Sequence, residues 1–124
     1  MNEALRRSLE PVLHDIRASG APMPDVRDQE WADDGASAML WSSDGSGSGV
    51  RVDATAPEAD RIVMVADQVQ EWVIKELWGQ AATNWPPCPS HPASHPLTAS
   101  RRGGVAVWTC PRDGTPFSPV GSLA

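Results

Sequence analysis

Cys88, His91, His95 and Cys110 are the residues of this chain best suited to chemistry, because thiolate sulfur and imidazole nitrogen are the donors that hold soft divalent metals. They lie in W-P-P-C-P-S-H-P-A-S-H-P-L and V-A-V-W-T-C-P-R-D-G, between Trp85 and Gly114, and account for both cysteines and two of the three histidines. Zn²⁺ favours four tetrahedral N or S donors brought together by tight turns. C-P-S-H supplies one such turn and points His91 back towards the metal of Cys88. C-P-R-D-G repeats the turn shape at Cys110, but Asp113 stands where a second cysteine would complete the symmetry. His95 can then close a Cys₂His₂ set, with Asp113 as the competing fourth ligand. Imidazole is the commoner donor in structural zinc sites, so the expected set is Cys88, His91, His95 and Cys110. A metal-free relic of the same segment, or a Cys88–Cys110 disulfide or redox pair, is the alternative reading.

Cys88-Pro89-Ser90-His91 and Cys110-Pro111-Arg112-Asp113-Gly114 make this segment resemble a degenerate member of the zinc-ribbon family, whose two C-P-x-C-G knuckles sit on β-hairpins. The resemblance covers roughly the last third of the chain and implies a metal-pinned β-hairpin module. His91 and Asp113 occupy the second positions of the two knuckles, where the family carries cysteines. The whole chain also resembles small actinobacterial proteins with a W-P-x-C-P-x-H…H-P-L…W-x-C-P tail, a resemblance that brings no activity with it.

The elements that must carry this segment are legible upstream. Leu5, Leu9, Val12, Leu13 and Ile16 recur at helical intervals between Glu3 and Ser19, which predicts an amphipathic helix. Pro11 removes the bond to the Arg7 carbonyl, so a kink or a start near Pro11 is expected. His14 reads as a surface or packing residue of that helix. Residues 20–35 read as an extended connection that Trp31 tacks down. S-A-M-L-W-S-S and V-R-V-D-A flank D-G-S-G-S-G as a β-hairpin with a flexible glycine turn, Val50 and Val52 sharing one face. A T-x-x-E capping box at Thr55 and Glu58 opens a long second helix. Its stripe of Ile62, Ala66, Val69, Val73 and Leu77 runs to a stop at Gly79. Val63, Val65, Trp72, Ile74 and Trp78 widen that stripe, so the helix is covered on two sides or leaves a patch for a partner. Val105 to Trp108 reads as a β run, Arg101 to Gly104 as a turn, and Pro119 to Leu123 as a terminal strand. Trp85 and Trp108 are expected to wall the metal site and dock it on the second helix. The fold class is thus α+β: a kinked N-terminal helix, a β-hairpin, a long second helix and a C-terminal zinc-ribbon-like β-hairpin. Residues 1–80 form the acidic α+β core domain and residues 81–124 the zinc-ribbon-like subdomain.

Charge narrows the functions. The chain of 124 residues has a formal net charge of −6, and the only acid beyond residue 80 is Asp113, against Arg101, Arg102 and Arg112. Neutralising phosphates requires Lys and Arg, so an acidic chain is a poor direct ligand for nucleic acid or anionic membrane and a better one for a basic protein surface. The start of the chain has no uninterrupted apolar stretch, which predicts neither a secretory signal nor a membrane span and points to the cytoplasm. Nine arginines against one lysine, among many Ala, Gly and Pro, are associated with a high-GC bacterial gene.

A catalytic zinc keeps one coordination position open for water, whereas the expected set fills all four with protein. H-E-x-x-H is absent, and so is the deaminase pairing of H-x-E with P-C-x-x-C. The sequence therefore points to a non-catalytic, zinc-stabilised adaptor or regulatory module that binds another protein, homodimerisation being one form of that. A small metallohydrolase with Asp113 activating water, and a component of a nucleic-acid-processing complex, are the alternatives.

Overall fold

The computed structural model describes residues 1–29, 31, 36–78 and 84–123. Two helices and two three-stranded antiparallel sheets make an α+β fold: α1 (Glu3–Ser19), β1 (Asp25–Arg27), β2 (Ser37–Trp41), β3 (Gly47–Arg51), α2 (Glu58–Leu77), β4 (Thr98–Arg102), β5 (Val105–Thr109) and β6 (Pro116–Pro119). The sheets run in the orders β1-β2-β3 and β4-β5-β6. One cluster of buried residues spans both halves of the chain, from Leu5 and Val12 through Leu40, Val50 and Val69 to Leu97, Trp108 and Cys110. The boundary between residues 80 and 81, and the helix stop at Gly79, lie outside the described residues. No helix among the described residues is long and apolar enough to cross a membrane.

Helix α1 begins at Glu3 rather than near Pro11, because Asn2 caps it: the Asn2 side chain accepts the Leu5 N–H at 3.1 Å. It runs through Pro11 and ends at Gly20, whose φ of 71° places it in the left-handed region that favours glycine. The face expected from the leucine spacing is buried at Leu5, Leu9, Val12 and Ile16. Helix α2 lies at the centre of the molecule, in contact with α1, β3, β4 and β5. Val65, Ala66, Val69, Trp72 and Val73 are buried there, whereas Met64 and Trp78 remain exposed at 37% and 66%. The Thr55–Glu58 capping box does not form. Pro57 is the N-cap with no side-chain cap bond, and Thr55 instead donates its N–H and hydroxyl to Asp53 Oδ1 at 2.9 and 2.6 Å. The helix starts too late in the chain for Thr55 to reach it as a cap.

The first sheet holds two departures from the sequence reading. Asp25–Arg27 is a third strand inside the expected connection, pairing Val26 with Leu40; three residues with a single inward apolar side chain give too short an alternation to read. The glycine run is also less of a turn than expected. Ser42 to Ser46 makes the turn, with Gly45 at φ 90°, while Gly47 and Gly49 already belong to β3. A Cβ at Gly49 would lie 2.6 Å from the Trp31 ring, and one at Gly47 would lie 2.8 Å from that of Trp41. The indoles therefore cover the strand where side chains are missing, and Trp31 is fixed there by donating its Nε1–H to the Ala38 carbonyl at 2.8 Å. Opposite them, Ala38, Leu40 and Val50 face the core, and Val52 follows them into it just beyond the strand end.

The second sheet is the C-terminal module. Its β4–β5 hairpin pairs Thr98 with Thr109 and Arg102 with Val105, turning at Gly103 and Gly104. Arg101 and Arg102 are thus strand residues, Arg101 facing Asp60 at 3.4 Å and Arg102 donating to the Gly114 carbonyl. The terminal strand is Pro116–Pro119, earlier than Pro119 to Leu123, and pairs Trp108 with Ser118. The chain after it turns at Gly121 onto α1.

Candidate metal centre

Cys88 follows an isolated bridge between Pro87 and Pro96 that closes the base of the loop carrying both histidines. Within the loop the His91 N–H donates to the Cys88 carbonyl at 3.0 Å, and the Ser94 N–H to the His91 carbonyl at 3.1 Å. The first turn brings His91 back to Cys88, and the second leads into His95. Cys110 ends β5 and opens a second turn, closed by the Gly114 N–H donating to the Cys110 carbonyl at 2.8 Å, with Gly114 at φ 78°. The backbone N–H groups of Arg112 and Asp113 point at the Cys110 sulfur. A thiolate is stabilised by such donors, and this is the feature expected of a knuckle turn.

The ligand atoms converge. One donor atom each from Cys88, His91, His95 and Cys110 lies within 4.8 Å of all the others. His91 Nδ1 is 3.6 Å from both sulfurs, and His95 Nε2 is 3.9 Å from Cys110 Sγ. With Zn–S about 2.3 Å and Zn–N about 2.05 Å, a tetrahedral centre requires S···N separations of about 3.6 Å. The two His91 separations match that spacing, and the set as a whole is close enough to hold a metal ion. His95 Nδ1 lies 3.1 Å from the Pro96 carbonyl, which assigns the proton to Nδ1 and leaves Nε2 as the lone-pair donor towards the cluster. The two imidazoles lie with ring centroids 4.9 Å apart.

Asp113, the rival fourth ligand, stands outside the converging set and is bonded within its own turn. Its Oδ1 accepts the Thr115 N–H at 2.9 Å. That bond, the Thr115 hydroxyl and the Cys110 thiol together hold its carboxyl pKa down at about 2. Cys88 and Cys110 are free cysteines with 0% and 1% exposure, so no disulfide joins them. Burial pushes the Cys110 thiol up from its ordinary value. Burial of both sulfurs leaves the half-buried histidines as the side of the cluster nearer to solvent.

No family model, curated protein or solved structure matches this chain. What the chain can do is therefore read from its own geometry.

The two tryptophans dock the C-terminal module differently from the sequence expectation. Trp108 Nε1–H donates to Asp15 Oδ2 at 2.8 Å and Trp85 Nε1–H to Ser19 Oγ at 2.9 Å, so both indoles bond to α1. A buried indole N–H needs an acceptor, and α1 presents two. Helix α2 contributes Gln70, whose amide donates to the Trp85 carbonyl at 2.9 Å and also to that of Leu97. Asp15 is fully buried and also accepts the Gly121 N–H at 2.7 Å and the Leu123 N–H at 3.0 Å. Half-exposed His14 places Nδ1 3.1 Å from Asp15 Oδ1 and lies apart from the cluster. The sequence reading did not single out Asp15, Ser19 or Gln70. An acid beside Ile16 on an apolar helical face was the available signal, since buried carboxylates require partners.

Proposed function

We propose that this chain is a non-catalytic protein-interaction module, an adaptor or regulatory element of a bacterial cytosol, stabilised by one zinc ion on Cys88, His91, His95 and Cys110. The observation that carries the reading is the convergence of four soft donors within 4.8 Å at the foot of the C-terminal sheet. With all four positions taken by protein, the metal's contribution is to folding, since ligand sets that close around zinc keep no site for an activated water. The likeness of the two turns to zinc-ribbon knuckles and the placement of free, buried thiols support the same role, and a reducing compartment suits it. The partner is another protein with a basic surface: the acids are concentrated before residue 80, and Met64 and Trp78 stand exposed on α2 and at its C-cap.

The test is the metal content of untagged protein purified without added metal, with a Cys88→Ser/Cys110→Ser variant alongside. The reading expects one zinc per chain in the native protein, no zinc in the variant, and a large fall in melting temperature on its loss, since structural zinc contributes on the order of 10 kcal/mol to folding. A well-folded native chain free of metal sinks it. For the partner, salt-sensitive retention on an immobilised Lys/Arg-rich peptide is expected, and equal retention on an acidic peptide counts against it.

A further inference from the structure

Both cysteine-bearing segments reach α1 by the same device. Trp85 precedes Cys88 and bonds to Ser19, while Trp108 precedes Cys110 and bonds to Asp15. Asp15 and Ser19 lie one turn apart on one face of α1, and the Ser19 hydroxyl donates back to the Asp15 carbonyl at 2.7 Å. The indoles themselves meet edge to face, with centroids 5.6 Å apart and planes at 78°. Whatever fixes Cys88 relative to Cys110 therefore fixes the tryptophan pair, and the tryptophan pair fixes the seat of α1. The module's C-terminal turn is tied to the same place: Gly121 lies against Pro11, and its N–H and that of Leu123 complete the donors around Asp15.

We propose that metal occupancy and the docking of α1 are one coupled equilibrium, in which metal loss releases α1 while the β2–β3 hairpin stays folded on α2. This rests on the zinc reading above and names the regulation of that site. Linkage makes the coupling reciprocal: the factor by which metal strengthens α1 docking is the factor by which docking strengthens metal binding. Release would expose Leu5, Leu9, Val12 and Ile16, all between 0% and 2% exposed in the docked helix. The opposing pull is the packing of α1 on α2, which release has to overcome.

The experiment uses the full chain. Backbone hydrogen exchange is compared with zinc bound and after chelation, and zinc affinity is measured by competition with a chromophoric chelator for the native protein, Trp108→Phe and Ser19→Ala. Chelation is expected to raise exchange in α1 together with β4–β6 and to leave β2 and β3 protected. Trp108→Phe, which keeps a ring but removes the N–H, is expected to weaken zinc binding about tenfold or more, and Ser19→Ala by a smaller factor of about threefold. Unchanged α1 exchange in a chain that binds zinc overturns the coupling alone, and so does equal loss of protection in β2 and β3. If Trp108→Phe does not fold, Ser19→Ala decides, and native affinity in it overturns the proposal. A chain that takes up no zinc overturns the metal centre itself.

Discussion

Replacing Asp15 with alanine tests whether its carboxylate holds the C-terminal module on α1. Asp15 Oδ2 accepts from Trp108 Nε1 and Gly121 N, and Oδ1 accepts from Leu123 N, at 2.7–3.0 Å, from a position with 0% exposure. Hydrogen bonds to a charged acceptor contribute about 1.5–3 kcal/mol each, and alanine forfeits these three together with the half-exposed His14 contact. Removing a buried carboxylate also relieves its desolvation, which offsets several kcal/mol of that loss. The balance is a net cost of about 3–5 kcal/mol, with the Trp108, Gly121 and Leu123 N–H groups left without that acceptor. Asp15→Asn should behave differently. With the amide carbonyl in the place of Oδ2, the bonds from Trp108 and Gly121 are kept, and the new NH₂ can donate to His14 Nδ1, so only the Leu123 bond is lost; about 1–2 kcal/mol is expected. The assay is urea unfolding followed by tryptophan fluorescence, with every protein at the same excess of zinc so that metal linkage is constant. A cost below about 1 kcal/mol for Asp15→Ala, or equal costs for Asp15→Ala and Asp15→Asn, refutes the reasoning.

Other perturbations probe separate parts of the structure. Asp113→Ala should leave zinc affinity within about threefold of native, whereas His95→Ala should lower it by about a hundredfold or more, because only His95 belongs to the converging set; chelator competition on both variants reads the difference, and the reverse order would make Asp113 the ligand. Gly121→Ala places a Cβ 2.7 Å from Pro11 at a φ of 103°, which should cost about 2–3 kcal/mol in urea unfolding, and a neutral result would mean that the C-terminal turn is not seated on α1. Gly49→Ala should displace the Trp31 ring that now lies 2.6 Å from the added carbon, seen as a change in near-ultraviolet circular dichroism and a loss of about 1–2 kcal/mol; an unchanged spectrum would count against the stacking.

The helices and the cluster of Cys and His donors were legible for a shared reason: each is a local pattern. Leu5 to Ile16 and Ile62 to Leu77 repeat at helical spacing, and C-P-S-H marks its turn within four residues. What stayed hidden depends on partners distant in sequence. Asp15 accepts from residues beyond position 100, and nothing near Asp15 announces them. The docking of Trp85 and Trp108 on α1 rather than on α2 alone was hidden likewise, because indole placement follows from which helix offers buried acceptors. Gly47 and Gly49 were read as turn because glycine favours turns, but here tertiary packing decided, since Trp31 and Trp41 occupy the space above the strand.

A metal suits this architecture because the C-terminal sheet has little core of its own. Its buried strand residues are Ala99, Ala106, Trp108 and Thr109, of which only Trp108 is large. Three short strands with one large buried residue are marginal alone. The sheet meets that deficit from two directions. Its strands lean on α2 and its tryptophans bond to α1, while the four donors close the loops that the strands leave open. The contributions cannot be independent, since Trp108 stands close to Cys110 in the chain and beside Asp15 in space. On the coupling proposed above, loss of metal would loosen the turn at Cys110 and with it Trp108, which is bonded to the helix whose apolar face carries Leu9 and Val12. On the same proposal, a metal held at one turn of so small a chain would also govern how far the apolar face of α1 is exposed.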